Sequence, residues 1–263
     1  MSDDSRIEQR KREQEESDEP SYLGTVLALG GALVVLGVVG YVVFAGGGSD
    51  PVTVSTEDWP DVGAVNGSDP TLVATGGASD DAVTVVYYGD FQCPHCKDFE
   101  VSSFPRLREE YVATGDVEFV FKAVNLESTE GWSRNSRAAA LGSRCVWHQN
   151  RSAYWRWHSA VFDAQTNYNQ DWATASSLGD MAEQVGLDGD AVSSCIEQET
   201  YADEYRQNGR EFTDRGIRST PGFYIEGDVV GGNRYGQISN AIEERLGAAS
   251  SSNDSAAGQR TAS

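Results

Sequence analysis

Residues 83–96 read Val83-Thr-Val-Val-Tyr-Tyr-Gly-Asp-Phe-Gln-Cys93-Pro94-His95-Cys96. The first six are β-branched or aromatic and carry no charge, the pattern of a short buried strand. From Pro94 onward the pattern becomes helical, with Phe99, Phe104, Leu107 and Tyr111 as its apolar positions. Pro105 should kink that helix, because it lacks an N–H to give the preceding turn. A second strand follows at Val117-Glu-Phe-Val-Phe-Lys-Ala-Val124. Strand, helix and strand at this spacing form a βαβ unit, so the two strands should be parallel.

Beyond it the character changes. From Ser133 to about Gly216 the pattern is helical and strands are absent. Trp147, Tyr154, Trp155, Trp157, Phe162 and Trp172 concentrate aromatics there, read as packing. Gly222-Phe-Tyr-Ile225 and Val229-Val230, parted by Gly227-Asp228, read as a hairpin. A last amphipathic helix runs from about Tyr235 to Leu246. The order predicts an α/β domain split by a helical insertion.

Cys93 and Cys96 sit at i and i+3, which puts both sulfurs on the first turn of the helix. The first sulfur then lies beside unsatisfied N–H groups at the positive end of the helix dipole. Both favour thiolate over thiol, so the pKa falls. His95, between them, can add a donor or a positive charge. A stabilised thiolate leaves easily and favours the reduced pair, which makes the oxidised pair a strong oxidant. Cys93 is expected to be the exposed, exchanging sulfur and Cys96 the buried, resolving one. The competing readings are a stapling disulfide or half a metal site. A structural zinc site needs two more ligands at matched spacing. No second CxxC occurs, and His148 and His158 fall in the helical block as polar or partly buried helix residues, not ligands. No metal and no cofactor is expected.

Thr220-Pro221 stands before the third strand. Proline is unusual there unless at an edge, a bulge or a first position.

CPHC after a strand, a helical insert, and Thr-Pro before a hairpin together resemble the DsbA family of the thioredoxin superfamily. The lead-in Asp90-Phe91-Gln92 and the run Thr220-Pro221-Gly222-Phe223-Tyr224-Ile225 are similar to its bacterial and archaeal members. The resemblance spans roughly residues 71–246 and implies a thioredoxin-like fold. It also implies a thiol–disulfide oxidoreductase with Cys93, Pro94, His95, Cys96, Thr220 and Pro221 at its site. Pro221 would be cis and face the CPHC pair. Thr220 would offer backbone hydrogen bonds to an extended substrate. A quinone-linked membrane partner would reoxidise Cys93 and Cys96. One departure stands out: six positions before the first cysteine, where thioredoxin-like proteins often carry a buried acid, this chain has Tyr87.

Residues Tyr22 to Phe44 are uncharged and long enough to cross a ~30 Å hydrocarbon core. Arg6, Arg10, Lys11 and Arg12 precede this run, and no Lys or Arg follows until Lys97. The N-terminus should therefore stay cytoplasmic and the domain should lie outside, as a single-pass protein of the cell membrane. A cleaved signal peptide is the alternative, though the run is long for one. The expected organisation is a disordered cytoplasmic tail at 1–21, an anchor at 22–46 and a linker at 47–70. A thioredoxin-like domain follows at 71–127 and 211–246, with the helical insertion at 128–210 and a disordered tail at 247–263.

Outside the membrane persistent disulfides are permitted. The remaining cysteines, Cys145 and Cys195, are expected to form a structural bond, with two free buried thiols as the alternative. The net charge of −21 excludes a nucleic-acid partner, which would need a basic footprint. Such acid excess points to a halophilic source, where strong salt screens self-repulsion, with an ordinary acidic secreted protein as the alternative.

The function these features favour is donation of disulfides to the thiols of exported proteins. A reductase or isomerase on the same scaffold is one alternative. A non-catalytic copper- or peptide-binding thioredoxin-like module is another.

Overall fold

The structure, a computed structural model, describes residues 68–125, 130–166 and 171–260, and only the backbone of 130–133 and 249–260. The expected tail, anchor and most of the linker lie outside the described residues. No helix among the described residues is long and apolar enough to cross a membrane.

The chain enters through a short strand β1 (Thr71–Leu72) and then forms β2 (Val83–Gly89). Helix α1 (Pro94–Ser102) follows, broken at Ser103 before a short α2 (Phe104–Leu107) and a π-helical turn at Arg108–Val112. The break is where Pro105 should disturb the helix: it has no N–H for the Val101 carbonyl. Strand β3 (Val117–Ala123) completes the first half.

Five helices come next: α3 (Glu130–Gln149), α4 (Arg151–Asp163), α5 (Ala175–Gln184), α6 (Gly189–Glu197) and α7 (Ala202–Asp214). Asn150 separates α3 from α4 by capping the latter, its side chain accepting the Ser152 N–H. A disulfide joins Cys145 on α3 to Cys195 on α6, with Cα atoms 6.1 Å apart. The chain returns through β4 (Gly222–Ile225), β5 (Asp228–Gly231) and α8 (Tyr235–Arg260).

The sheet order is β1-β3-β2-β4-β5. β2 and β3 are parallel and the other pairs antiparallel. Tyr87 stands opposite Phe121 on one side and Phe223 on the other. With Phe99 of α1 4.8 Å away by ring centroids, this cross-strand row forms the floor beneath the redox helix. The insertion packs on the same face through Trp155, Trp157 and Phe162. The opposite face carries Val86 and Tyr88 against Ile217 and Phe212, the latter from α7. Both faces of β2 are therefore covered, which is why its sequence is a continuous apolar run rather than an alternating one.

Three boundaries differ from expectation. The hairpin turn is Glu226-Gly227, not Gly227-Asp228: both turn residues have positive φ, 45° and 109°, and Asp228 already pairs with Ile225. The insertion limit expected at 210 falls inside α7, which begins at Ala202 and covers the sheet. The tail expected to be irregular from 247 continues α8 to Arg260. Its alanines favour helix and no proline interrupts it.

Candidate active site

The turn between β2 and α1 sets the site. Cys93 caps α1 in an extended conformation, φ −76° and ψ 121°, and Pro94 occupies the first turn. Proline suits that place, where its missing N–H costs no helical bond. The Cys93 carbonyl accepts the N–H groups of Cys96 and Lys97, each at 3.1 Å. The Cys93 N–H donates to the Asp90 carbonyl at 2.9 Å. Asp90 is fully buried, and its Oδ1 accepts the Gln92 N–H at 2.9 Å and the Ser136 hydroxyl at 2.5 Å.

Cys93 and Cys96 are both thiols in this structure. Cys93, expected to be exposed, is only 3 % exposed, and Cys96 is at 0 %. The Thr220–Pro221 segment covers Cys93. As a thiol, Cys93 donates to the Thr220 carbonyl 3.5 Å away. The Thr220–Pro221 peptide is cis. Pro221 immediately precedes β4 rather than standing within it, and its carbonyl takes the Gly232 N–H at 3.2 Å. At Gly222 a Cβ would lie 2.4 Å from Ile217 Cγ2 and 2.8 Å from the Ser219 carbonyl, so the bend requires glycine.

The two sulfurs are driven apart in acidity. Cys93 is drawn down to about 6. The hydrogen bond from Cys96 is the largest cause and outweighs burial. The Thr220 side chain and the N–H groups of Cys96 and His95 add to it. Cys96 is pushed up well above its ordinary value by burial, then by Cys93. The Asp90 N–H, 3.5 Å from Cys96 Sγ, opposes that rise. Cys93 can therefore leave or attack as thiolate while Cys96 holds a proton.

Of the two contributions expected of His95, a donor or a positive charge, it makes the first, through its backbone. Its imidazole is 72 % exposed, 3.9 Å from Asp98, and its backbone N–H is what serves Cys93. Tyr87, in the place of the missing acid, is buried beneath Cys96. Burial and then the Cys96 charge push its phenol well above the ordinary value. No group of three or more His, Cys, Asp or Glu able to hold a metal occurs among the described residues.

Two residues beside the site, His158 and Gln165, have contacts that the sequence does not announce. His158, expected to be a polar or partly buried helix residue, is fully buried, and its Nε2 lies 3.0 Å from Glu100. Its position four residues after Tyr154 and four before Phe162, on the apolar face of α4, is the signal that could have shown it. Gln165 donates to the carbonyls of Phe91 and Cys93. Nothing in the sequence near Gln165 announces this.

A thioredoxin family model (Thioredoxin_4) matches residues 70–244. The chain is 31 % identical over 172 residues to disulfide bond formation protein D of Bacillus subtilis (strain 168), covering 65 % of this chain and 75 % of that one. Among solved structures it is similar to oxidised BdbD from Bacillus subtilis, with a TM-score of 0.61 and 30 % identity over 72 % of this chain and 99 % of that one. It also shares the fold of Chlamydia trachomatis DsbA, with a TM-score of 0.57 and 18 % identity over 72 % of this chain and 96 % of that one.

Proposed function

The chain belongs to the thioredoxin family, as a DsbA-type protein dithiol–disulfide oxidoreductase, and from that premise we propose that it donates disulfides to exported proteins through Cys93 and Cys96. The observation that carries this reading is the split acidity of the pair: Cys93 near 6 at the helix start, Cys96 raised in the core. A stabilised Cys93 thiolate favours the reduced centre, so the oxidised centre gives its disulfide away.

A substrate thiolate attacks Cys93 of the Cys93–Cys96 disulfide. A new bond forms to Cys93, the old bond breaks, and Cys96 leaves and takes up a proton. A second substrate thiolate then attacks the substrate sulfur of the mixed disulfide. This forms the substrate disulfide and releases Cys93 as thiolate. Two electrons pass from substrate to protein, and a quinone-linked membrane partner takes them onward. Thr220 and Pro221 hold the extended substrate beside Cys93, with Thr220 supplying backbone hydrogen bonds. The uncharged run from Tyr22 to Phe44 supports a single-pass anchor with a cytoplasmic N-terminus and the catalytic domain outside. The acid excess supports work in strong salt.

A redox titration in molar salt tests this reading. An oxidant has a potential well above the ≈ −270 mV of thioredoxin, and a value near that figure makes the protein a reductase instead. Oxidation of a reduced model protein should also disappear in Cys93→Ser. Full oxidation by that variant would overturn Cys93 as the reacting sulfur, and a wild type that oxidises nothing would indicate a non-catalytic module.

A further inference from the structure

The helical insertion reaches back over the redox turn at the end of α4. The carboxamide nitrogen of Gln165 donates to the Phe91 carbonyl at 2.6 Å and to the Cys93 carbonyl at 3.2 Å. One NH2 group carries two hydrogens, so a single side chain satisfies both carbonyls and brackets Gln92. The Lys97 ammonium, on the other side of the cysteine pair, donates to the carbonyls of Asp163 at 3.0 Å and Gln165 at 3.1 Å. These are carbonyls at the C-terminus of α4, where a cation is favoured. Gln92 completes the clasp: its Nε2 donates to the Thr166 carbonyl at 3.3 Å, and its Oε1 accepts Trp172 Nε1 at 2.5 Å. Residues 91, 92, 93 and 97 are thus all tied to one short stretch, 163–166, more than sixty positions away.

We propose that Gln165 is a positioning residue for the thiol chemistry, holding the Cys93 peptide so that the N–H groups of His95 and Cys96 stay aimed at the Cys93 sulfur. Helix α1 already holds the Cys93 carbonyl through the N–H groups of Cys96 and Lys97, but the backbone before Cys93 is a turn rather than a helix, so no helical bond ties the Phe91 carbonyl to it. Gln165 supplies that constraint from outside the turn, and hydrogen bonds that hold a reactive group in place tune its reactivity without touching it. The inference rests on Cys93 being the reacting sulfur, and holds for oxidase and reductase alike.

The test uses the reduced full-length protein in molar salt. Thiolate absorbance at 240 nm is titrated, and the equilibrium with glutathione is measured, in wild type, Gln165→Met and Gln165→Glu. Methionine keeps the volume and removes both donors. Glutamate keeps the shape and turns a carboxylate oxygen on two carbonyls. The other ionisable side chains around Cys93 are Asp90 in the turn before it, Cys96, His95 and Lys97 on α1, Asp163 at the end of α4, and Tyr87 on β2; none is altered in these variants. The thiolate midpoint should rise by about one unit in Gln165→Met and further in Gln165→Glu. The exchange equilibrium should shift about tenfold toward the oxidised pair, equivalent to about 30 mV. Denaturant unfolding on the same samples separates a purely structural part: lower stability with an unchanged midpoint in both variants overturns the proposal. If wild type shows no thiolate titrating near 6, the assignment of Cys93 fails and the clasp with it. A wild-type midpoint near 6 that neither variant moves sinks the clasp alone.

Discussion

Glu100 Oε1 lies 3.0 Å from His158 Nε2 in the core, the two side chains being 6 % and 0 % exposed. Glu100 is one turn beyond Cys96 on the same helix, so the pair sits close behind the resolving sulfur. The other ring nitrogen, Nδ1, is 3.4 Å from the Tyr154 hydroxyl, which in turn is 2.8 Å from Ser143. A polar chain therefore runs from the redox helix through α4 to α3. Each member relies on the next, because a buried polar group left without its partner costs about 1–3 kcal/mol, more if charged. Glu100→Ala and His158→Ala should each destabilise the protein. The double variant should lose less than the sum of the two, with a coupling of at least about 1 kcal/mol. Urea unfolding of the four proteins measures this, and strict additivity would contradict a working pair.

The acidity of Cys93 predicts a pH-dependent stability gap between the two redox forms. In the folded reduced protein Cys93 ionises near 6, against an ordinary value of 9.0. Below pH 6 it is a thiol folded and unfolded and contributes nothing. Between 6 and about 9 the unfolded chain binds the extra proton, so stability rises with pH. The contribution is complete above 9 and is lost as the pH falls through 6. Cys96, pushed up by burial, remains protonated in both states between pH 5 and 8 and leaves this slope unchanged. The oxidised protein has no such thiol. The reduced form should therefore gain stability relative to the oxidised form from pH 5 to pH 8, by urea unfolding of both. A gap that stays constant with pH is the contrary result.

Two glycines should respond with opposite sign to alanine. A Cβ on Gly89 would sit 2.7 Å from Phe121 Cε2 and from Tyr87 Cζ and Oη. Those rings are locked in the floor beneath α1, so Gly89→Ala should cost about 1–3 kcal/mol through overpacking. Gly209 stands in α7 with nothing within 4 Å of its would-be Cβ. Gly209→Ala should stabilise by up to about 1 kcal/mol, since alanine is the better helix former. Thermal unfolding compares the two, and a destabilised Gly209→Ala would mean that α7 lacks the space ascribed to it.

What the sequence made legible was whatever a single element expresses along its own length. The uncharged Val83–Tyr88 run, the cysteines at helical spacing and the parallel pairing with Val117–Ala123 all follow from local pattern and chain connection. What it hid depends on which faces meet. Periodicity puts His158 on the apolar side of its helix but cannot name Glu100, 58 positions earlier, as its partner. Gln165 follows a helix end in a stretch of ordinary polar residues, and only the fold brings it to the Cys93 carbonyl. The burial of Cys93 was missed for the same reason. Its cover is Thr220, 127 residues away, whose carbonyl meets the sulfur once β4 pairs with β2.

The Cys145–Cys195 bond should act on stability and not on exchange. It closes a sequence separation of 50 residues and ties α3 to α6. In the chain-entropy account a loop of that size is worth ~4 kcal/mol, because the cross-link restricts the unfolded chain. The bond has company: a Cβ on Gly142, one turn before Cys145, would lie 3.0 Å from Trp157 and 3.2 Å from Ile196. The helices there are already in close contact, so the folded state should keep its packing when the bond is absent. Cys145→Ser/Cys195→Ser should therefore unfold at markedly lower denaturant while its thiolate still titrates near 6 and its exchange rate at low temperature matches wild type. The α4 end that carries Gln165 is tied to the redox turn by its own hydrogen bonds, not through this disulfide. A double variant as stable as wild type would show that the bond adds nothing to the folded insertion. A slowed exchange rate in a still-folded variant would show that α3 and α6 hold the redox turn in place after all.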